Sequence, residues 1–296
     1  MKPTNVAIWS LAVLIATGFT ACKKNDIKIT GPHMTLTTTK NKGEIIILWT
    51  GAAAEDQADV WIDLNNNGIE DSGEAVTEFG GYMGYPLGAQ TIIIYGKVIS
   101  LVCSDNRLTS LNVSNNPKLK ELYCYNNPLK ALDISKNSAL EWIHCDNNQL
   151  TSLDISKNTE LIGIRCCENQ LTSLDISKNT ELINIYCQDN QLTSLNLSNN
   201  PKLAELWCHG NQITALDVSK NTNLRHLRCF NNSIYSSNMT ALVNSLPTRN
   251  AGNEGDFYVV NRNGDGNVCT PAQVNIAKDK NWNVMDSQEN TYSGSK

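Results

Sequence analysis

Aromatic residues are scarce, at 6% of the chain, so where they fall carries weight. Positive charge is not in excess: the formal net charge is −5 over 296 residues. That balance argues against a nucleic-acid partner, whose phosphates are usually met by a basic stripe. Nothing after Phe19 is long and apolar enough to span a bilayer. No Ser/His/Asp or Cys/His set is recognisable, and the histidines lack acids at matching positions, so catalysis is not expected.

The apolar run from Val6 to Phe19 follows a short basic start, Met1-Lys2, and is too short to be a membrane span. It ends in Phe19-Thr20-Ala21-Cys22, which resembles a bacterial lipoprotein signal with Phe19 where Leu is usual. The resemblance implies removal of residues 1–21 and a lipid-bearing, palmitate-type modification at Cys22. Acyl chains, at ~0.8 kcal/mol per buried CH₂, then hold a soluble domain on the outer membrane. Which face of that membrane it occupies is left open. The alternative is an ordinary secretory signal cut near Ala21. Residues 22–33, with Lys23, Lys24 and Gly31-Pro32, read as a tether.

Ten cysteines in an exported chain suggest disulfides until their spacing is read. Cys103, Cys124, Cys145, Cys166, Cys187, Cys208 and Cys229 follow one another at intervals of 21. The period marks a repeat over 98–234, with the template L-x-x-L-x-C-x-x-N-x-L-x-x-L-x-I-S-x-N-x-x. Each half of a unit alternates apolar residues, so each half predicts a short strand. One unit cannot bury its own stripe, and stacking the units builds the core. The inward positions of one unit are Leu119, Leu122, Cys124, Leu129, Leu132 and Ile134. Asn127, Asn148, Asn169, Asn190 and Asn211 recur at the turn, where a buried amide can satisfy loop backbone groups of adjacent coils. Asn137, Asn158, Asn179, Asn200 and Asn221 offer the same on the other side. Stacked cysteines would have parallel side-chain vectors, which suit a disulfide poorly, so reduced thiols are expected.

This pattern resembles the nested 21-residue class of bacterial leucine-rich repeats, and its cysteines resemble the cysteine ladder found among the internalins. The resemblance implies a right-handed solenoid of about seven coils and a non-catalytic binding function. Internalins bind proteins, and some bind mucin-like glycans. The expected fold is mainly β: the solenoid, a small β-rich domain over 34–97 before it, and an α/β cap over 235–296 after it.

The units differ from one another mainly in the outward positions of the first half. Position three reads Ser100, Glu121, Trp142, Gly163, Asn184, Glu205 and His226. Position five reads Val102, Tyr123, His144, Arg165, Tyr186, Trp207 and Arg228. Position seven reads Ser104, Tyr125, Asp146, Cys167, Gln188, His209 and Phe230. Outward Trp, Tyr and Arg are the residue types that dominate interface hot spots, and aromatic faces also stack on sugars. The candidate ligand-binding residues are therefore Tyr123, Tyr125, Trp142, His144, Arg165, Tyr186, Trp207, His209 and Arg228, facing a protein or glycan partner from a monomer. The alternative is that these side chains only pack on one another and stabilise the sheet, leaving an envelope scaffold with no external ligand. Cys167, beside Arg165, is the one candidate for a reactive thiol.

In the leading segment, Leu36-Thr39, Glu44-Trp49, Val60-Leu64 and Thr91-Tyr95 read as strands that also cover the open end of the stack. Residues 63–74 fit the calcium-loop pattern D-x-[DN]-x-[DN]-G-x5-E. Asp63, Asn65, Asn67, the Ile69 carbonyl, Asp71 and Glu74 would supply oxygens for one Ca²⁺. The approach through Val60-Trp61-Ile62 reads as a strand and not a helix, and a metal-free Asn/Gly turn fits the same residues. Behind the repeat, Ser237 is expected to cap a helix ended by Pro247, and Asp256-Asn261 and Trp282-Val284 to form strands. Thr270-Pro271 is expected to start a second helix, and Asn261-Gly266 to make a hairpin turn.

Overall fold

The computed structural model describes residues 31–264 and 266–295. The candidate signal segment 1–21 and Cys22 lie outside the described residues. The chain opens with β1 (His33–Thr38) and β2 (Ile45–Gly51), then a 3-10 helix (Ala54–Asp59), β3 (Trp61–Asp63), β4 (Tyr82–Pro86) and β5 (Thr91–Tyr95). The repeat supplies β6 (Ser100–Val102), β7 (Leu108–Asn112), β8 (Glu121–Tyr123), β9 (Trp142–His144), β10 (Gly163–Arg165), β11 (Asn184–Tyr186), β12 (Glu205–Trp207) and β13 (His226–Arg228). The tail adds α1 (Ser236–Ser245), β14 (Gly255–Val260), α2 (Pro271–Asp279) and β15 (Trp282–Asp286). Among the described residues no helix is long and apolar enough to cross a membrane.

One short strand per coil stacks in parallel with its neighbours, and the register advances by 21 residues at each step. The resulting eleven-stranded sheet runs β15-β14-β13-β12-β11-β10-β9-β8-β6-β2-β4. Leu and Ile at the strand centres and the ladder cysteines are fully buried beneath it. Repeat, coil and core together make the chain a leucine-rich-repeat solenoid.

The expected second strand in each coil does not form. Only the first coil has one, β7, and it pairs with β1 of the leading segment. Elsewhere the T-S-L-D-I-S half turns on itself. The carboxylates of Asp133, Asp154, Asp175 and Asp217 each accept the backbone N–H of the serine two residues on, at 2.8–2.9 Å. That local bond takes a donor which a strand ladder needs. The coils are joined there by asparagine instead. Asn137 Nδ2 donates to the Val113 and Asn116 carbonyls, and Asn158, Asn179, Asn200 and Asn221 repeat the pattern one coil on. Their Oδ1 atoms, unlike those of the first series, have no hydrogen-bond partner.

The first asparagine series is fully used. Asn148 Nδ2 donates to the carbonyls of Cys124, Cys145 and Asp146, and its Oδ1 accepts the Leu129 N–H. Each such amide therefore ties two successive coils at the turn. The turn itself requires a left-handed residue. Asp105, Asn126, Asn147, Glu168, Asp189, Gly210 and Asn231, again 21 apart, all have φ between 48° and 66°. Asn, Asp and Gly adopt that conformation at low cost; Glu168 is the exception in type.

Residues 34–97 do not stand apart from the solenoid. β2 joins the long sheet antiparallel to β6, and β4 pairs beyond it. β1 lies between β5 and β7 in a four-stranded sheet, β3-β5-β1-β7. The segment thus closes the first coil on both sides. At the other end β14 and β15 continue the parallel sheet, so the turn after β14 leads through α2 to a parallel strand and makes no hairpin. Asn267 there takes the place of the next ladder asparagine: it donates to Cys229 and Val259 and accepts from Ile234. Helix α2 starts at Thr270 with a capping box to Gln273. Helix α1 starts at Tyr235 with no side-chain cap, and Ser237 lies inside it.

Candidate functional site: the outward face of the long sheet

Register places the position-five residues in one row across the sheet. The caps extend it at both ends. The full row is Tyr82, Trp49, Val102, Tyr123, His144, Arg165, Tyr186, Trp207, Arg228, Tyr258 and Met285. Trp49, Tyr82, Tyr258 and Met285 are the members that sequence reasoning missed. They lie outside the repeat, and only long-range strand pairing brings them into line.

The candidates in the row are half-buried and touch one another. Tyr186 and Trp207 meet edge to face with centroids 5.0 Å apart. The Arg165 guanidinium lies 5.0 Å from the Tyr186 ring centre. Arg228 is held between Trp207 and Tyr258, at 4.6 and 4.1 Å, and also pairs with Glu289. Tyr125 packs on His144 at 4.4 Å. The Tyr186 hydroxyl donates to Glu205 Oε2 at 2.8 Å. Burial first, then that bond and the Glu205 charge, push its pKa up to about 12.

A second row, from position three, runs beside the first through Gly51, Ser100, Glu121, Trp142, Gly163, Asn184, Glu205, His226, Asp256 and Asn283. It is polar and partly acidic. Trp142 is its aromatic member and lies against Gly163.

Position seven is mostly turned inward, contrary to its strand parity, with Tyr125 and His209 half-buried. Ser104, Asp146, Cys167, Gln188 and Phe230 are buried. The left-handed turn follows directly, and the column closes on itself. Phe230 stacks on His209 at 4.3 Å. His209 is mostly enclosed, and its Nδ1 has no hydrogen-bond partner. Burial, then the Arg228 charge, lower its pKa to about 4, so it is neutral at pH 7.

Two histidines do have acids, a pairing the sequence concealed. His144 Nε2 lies 2.6 Å from Asp146 Oδ2, and Arg165 Nε lies 3.3 Å from the same oxygen. Asp146 Oδ1 accepts the Cys167 N–H. Burial alone would raise Asp146; the bonds from His144 and Cys167 and the two nearby charges outweigh it and hold the carboxyl below its ordinary value. His226 meets Asp256, supplied by β14 of the cap. The partner at 144 sits two residues along the chain on the same face, and the partner at 226 comes from outside the repeat.

Cys167 is buried beside Asp146. Burial and the neighbouring Asp146 carboxylate raise it far above the ordinary range, against a smaller opposite effect of Arg165. The ladder cysteines are buried free thiols. Desolvation pushes Cys103 up to about 12 and Cys124, Cys145, Cys166, Cys187 and Cys208 well above the usual value.

The 63–74 loop closes on its own groups. Both oxygens of buried Asp63 accept backbone N–H groups, from Asn67 and Gly68. Buried Glu74 accepts from Leu64 and Asp71. Asp71 Oδ2 takes the side-chain amides of Asn65 and Asn67, while Asn67 Oδ1 accepts from the Ile69 N–H. A calcium ion at these oxygens would have to turn both amides away. Among the described residues no cluster of three or more His, Cys, Asp or Glu side chains is arranged to hold a metal ion.

No family model matches the chain, and no curated protein matches it. Among solved structures it is similar to the functional domain of InlJ from Listeria monocytogenes, which includes a cysteine ladder. That similarity is 30% identity over 55% of this chain and 45% of the other, with a TM-score of 0.34. A leucine-rich-repeat protein of Leptospira interrogans matches at 20% identity over 59% of this chain and 44% of its own, with a TM-score of 0.47. The LRIM1/APL1C complex matches at 21% identity over 41% of this chain and 24% of that one, with a TM-score of 0.39. In each case the match covers less than half of the other chain.

Proposed function

We propose that this chain is a non-catalytic recognition module that offers the outward row of its long sheet to a protein or glycan partner. One observation carries the reading: in a chain poor in aromatics, Trp49, Tyr82, Tyr123, Tyr186, Trp207 and Tyr258 occupy a single strand position across eleven paired strands. Large rigid rings at the centre of an ordered sheet give contact area at low entropic cost. The second-side face offers only short polar residues and lysines. Attachment to the outer membrane through Cys22, after export, belongs to the same proposal. Replacing Cys22 with Ala and following the protein between membrane and soluble fractions tests it.

A second reading has its own support. Arg165 and Arg228 are already engaged by Asp146, Glu289 and neighbouring rings. A row that satisfies itself can serve only to stiffen the sheet, leaving an envelope scaffold. A glycan array and a pull-down with wild type and with Tyr186→Ser/Trp207→Ser separate the two. Binding lost in a folded variant supports recognition; identical profiles support the scaffold.

A further inference from the structure

The N-terminal end of the row is hollow. Trp49, Tyr82, Tyr123, Tyr125, Ser100 and Glu121 line a cavity of about 380 Å³. The reason lies in the register. Val102 stands between Trp49 and Tyr123, so a small side chain forms the floor between two large ones. Tyr82, opposite Trp49 on β4, rises at the rim and is 66% exposed.

Among the described residues Trp49 and Tyr82 stack on no other ring, and Tyr123 meets His144 only edge-on at 6.0 Å. Glu121 is the carboxylate of the hollow; its Oε2 accepts the Ser100 hydroxyl at 2.7 Å, and its Oε1 has no hydrogen bond within the described residues. His144 also lines the hollow, and Lys120 beside it feels the Glu121 charge, but both basic groups have closer acids. His144 is committed to Asp146, and Lys120 to Glu141. Burial, then Glu121 and Tyr82, raise the Tyr123 hydroxyl, which marks a place where more negative charge is unwelcome.

Aromatic faces carry negative electrostatic potential and attract cations, most strongly where water is excluded. We infer that this hollow receives an organic cation: an alkylated ammonium group seated among Trp49, Tyr82 and Tyr123, with Glu121 as its counter-charge. The inference rests on the outward row being a recognition face, and it specifies the chemistry at one end of that row. A choline head group and a methylated lysine side chain carry the same group. A neutral sugar would use the rings but not the Glu121 charge, and Ser100 already spends its hydroxyl on Glu121.

The test titrates the purified protein with choline, with trimethyllysine amide, and with dimethylbutanol, the neutral carbon isostere of choline, following tryptophan fluorescence. The expected result is that the cations bind at least roughly fivefold tighter than the isostere. Tyr82→Leu and Glu121→Gln, both on partly exposed side chains, are each expected to weaken cation binding at least roughly threefold with an unchanged melting curve. Preference for choline over the lysine derivative assigns a lipid or small-molecule source, and the reverse a protein source. Equal binding of the isostere, displacement by neutral monosaccharides, or no binding at all overturns the inference. The outcome is separable from the wider reading. If Tyr186→Ser/Trp207→Ser loses its array or pull-down partner while no cation binds here, the face stands and the ammonium site falls. If cations bind and that double variant changes nothing, the site stands without the face.

Discussion

Trp142 lies across Gly163: a Cβ added at residue 163 would stand 2.1 Å from the indole ring. The two residues are direct register partners on β9 and β10. The missing side chain in one coil is the seat for the largest side chain of the coil before. Gly163→Ala is therefore expected to lift the indole from the sheet and to lower stability by about 1–3 kcal/mol. A red-shifted tryptophan emission with a lower urea midpoint meets the expectation. An unchanged spectrum would mean that the indole is not held there.

Asp146 ties two successive coils together through His144, Arg165 and the Cys167 N–H. Asp146→Ala leaves a buried donor unpaired and is expected to cost about 1–3 kcal/mol at pH 7. Its folded pKa is depressed, so the stability it confers is present above the ordinary carboxylate range and is lost as pH falls through the folded value. The gap in melting temperature between wild type and variant should accordingly narrow toward pH 3. A gap constant across that range contradicts the account.

His209 acts in the opposite sense. It is neutral and enclosed, with its pKa lowered from 6.5 to about 4. The unfolded chain takes up the proton first, so stability falls as pH drops from about 6.5 toward 4. His209→Phe is expected to flatten the melting temperature over this window. An equally steep fall in the variant assigns the pH response to other groups.

Glu168 is the one left-handed turn residue of the seven that is not Asn, Asp or Gly, with φ at 52°. Glu168→Gly should raise stability by about 1 kcal/mol, because the strain removed exceeds the added chain entropy. A thermal melt decides it; a lower midpoint would show that the side chain contributes more than its backbone costs.

Asp63 holds the 63–74 loop through two backbone N–H groups. Asp63→Ala is expected to cost about 1–3 kcal/mol in EDTA as well as in calcium, since the bonds are internal. A wild-type midpoint raised by millimolar calcium, and not raised in the variant, would instead give the loop a cation.

Much of the scaffold was legible because the cysteine period fixes the coil. The strands centred on Leu122, Ile143, Ile164, Ile185, Leu206 and Leu227 fall where alternation puts them. So do the buried asparagines of the first series. Alternation misled where local bonds compete with pairing: Asp133 and its equivalents take backbone donors, and the second side forms no ladder. Alternation also put Asp146 and Cys167 outward, whereas the turn beginning at Asn147 and Glu168 encloses them. The N-terminal end of the candidate site was not legible. Trp49 and Tyr82 reach the row through antiparallel pairing with partners about 50 and 30 residues away, and no repeat period encodes such a register.

The most direct measurement is a calorimetric titration of the array-identified ligand against three proteins: wild type, Tyr186→Ser/Trp207→Ser on the outward row, and Lys157→Ala/Lys178→Ala on the second side. The row variant is expected to lose at least roughly tenfold in affinity with its fold intact, and the lysine variant to match wild type. Equal affinities in all three, or a loss confined to the lysine variant, would contradict the assignment of the outward row as the recognition face.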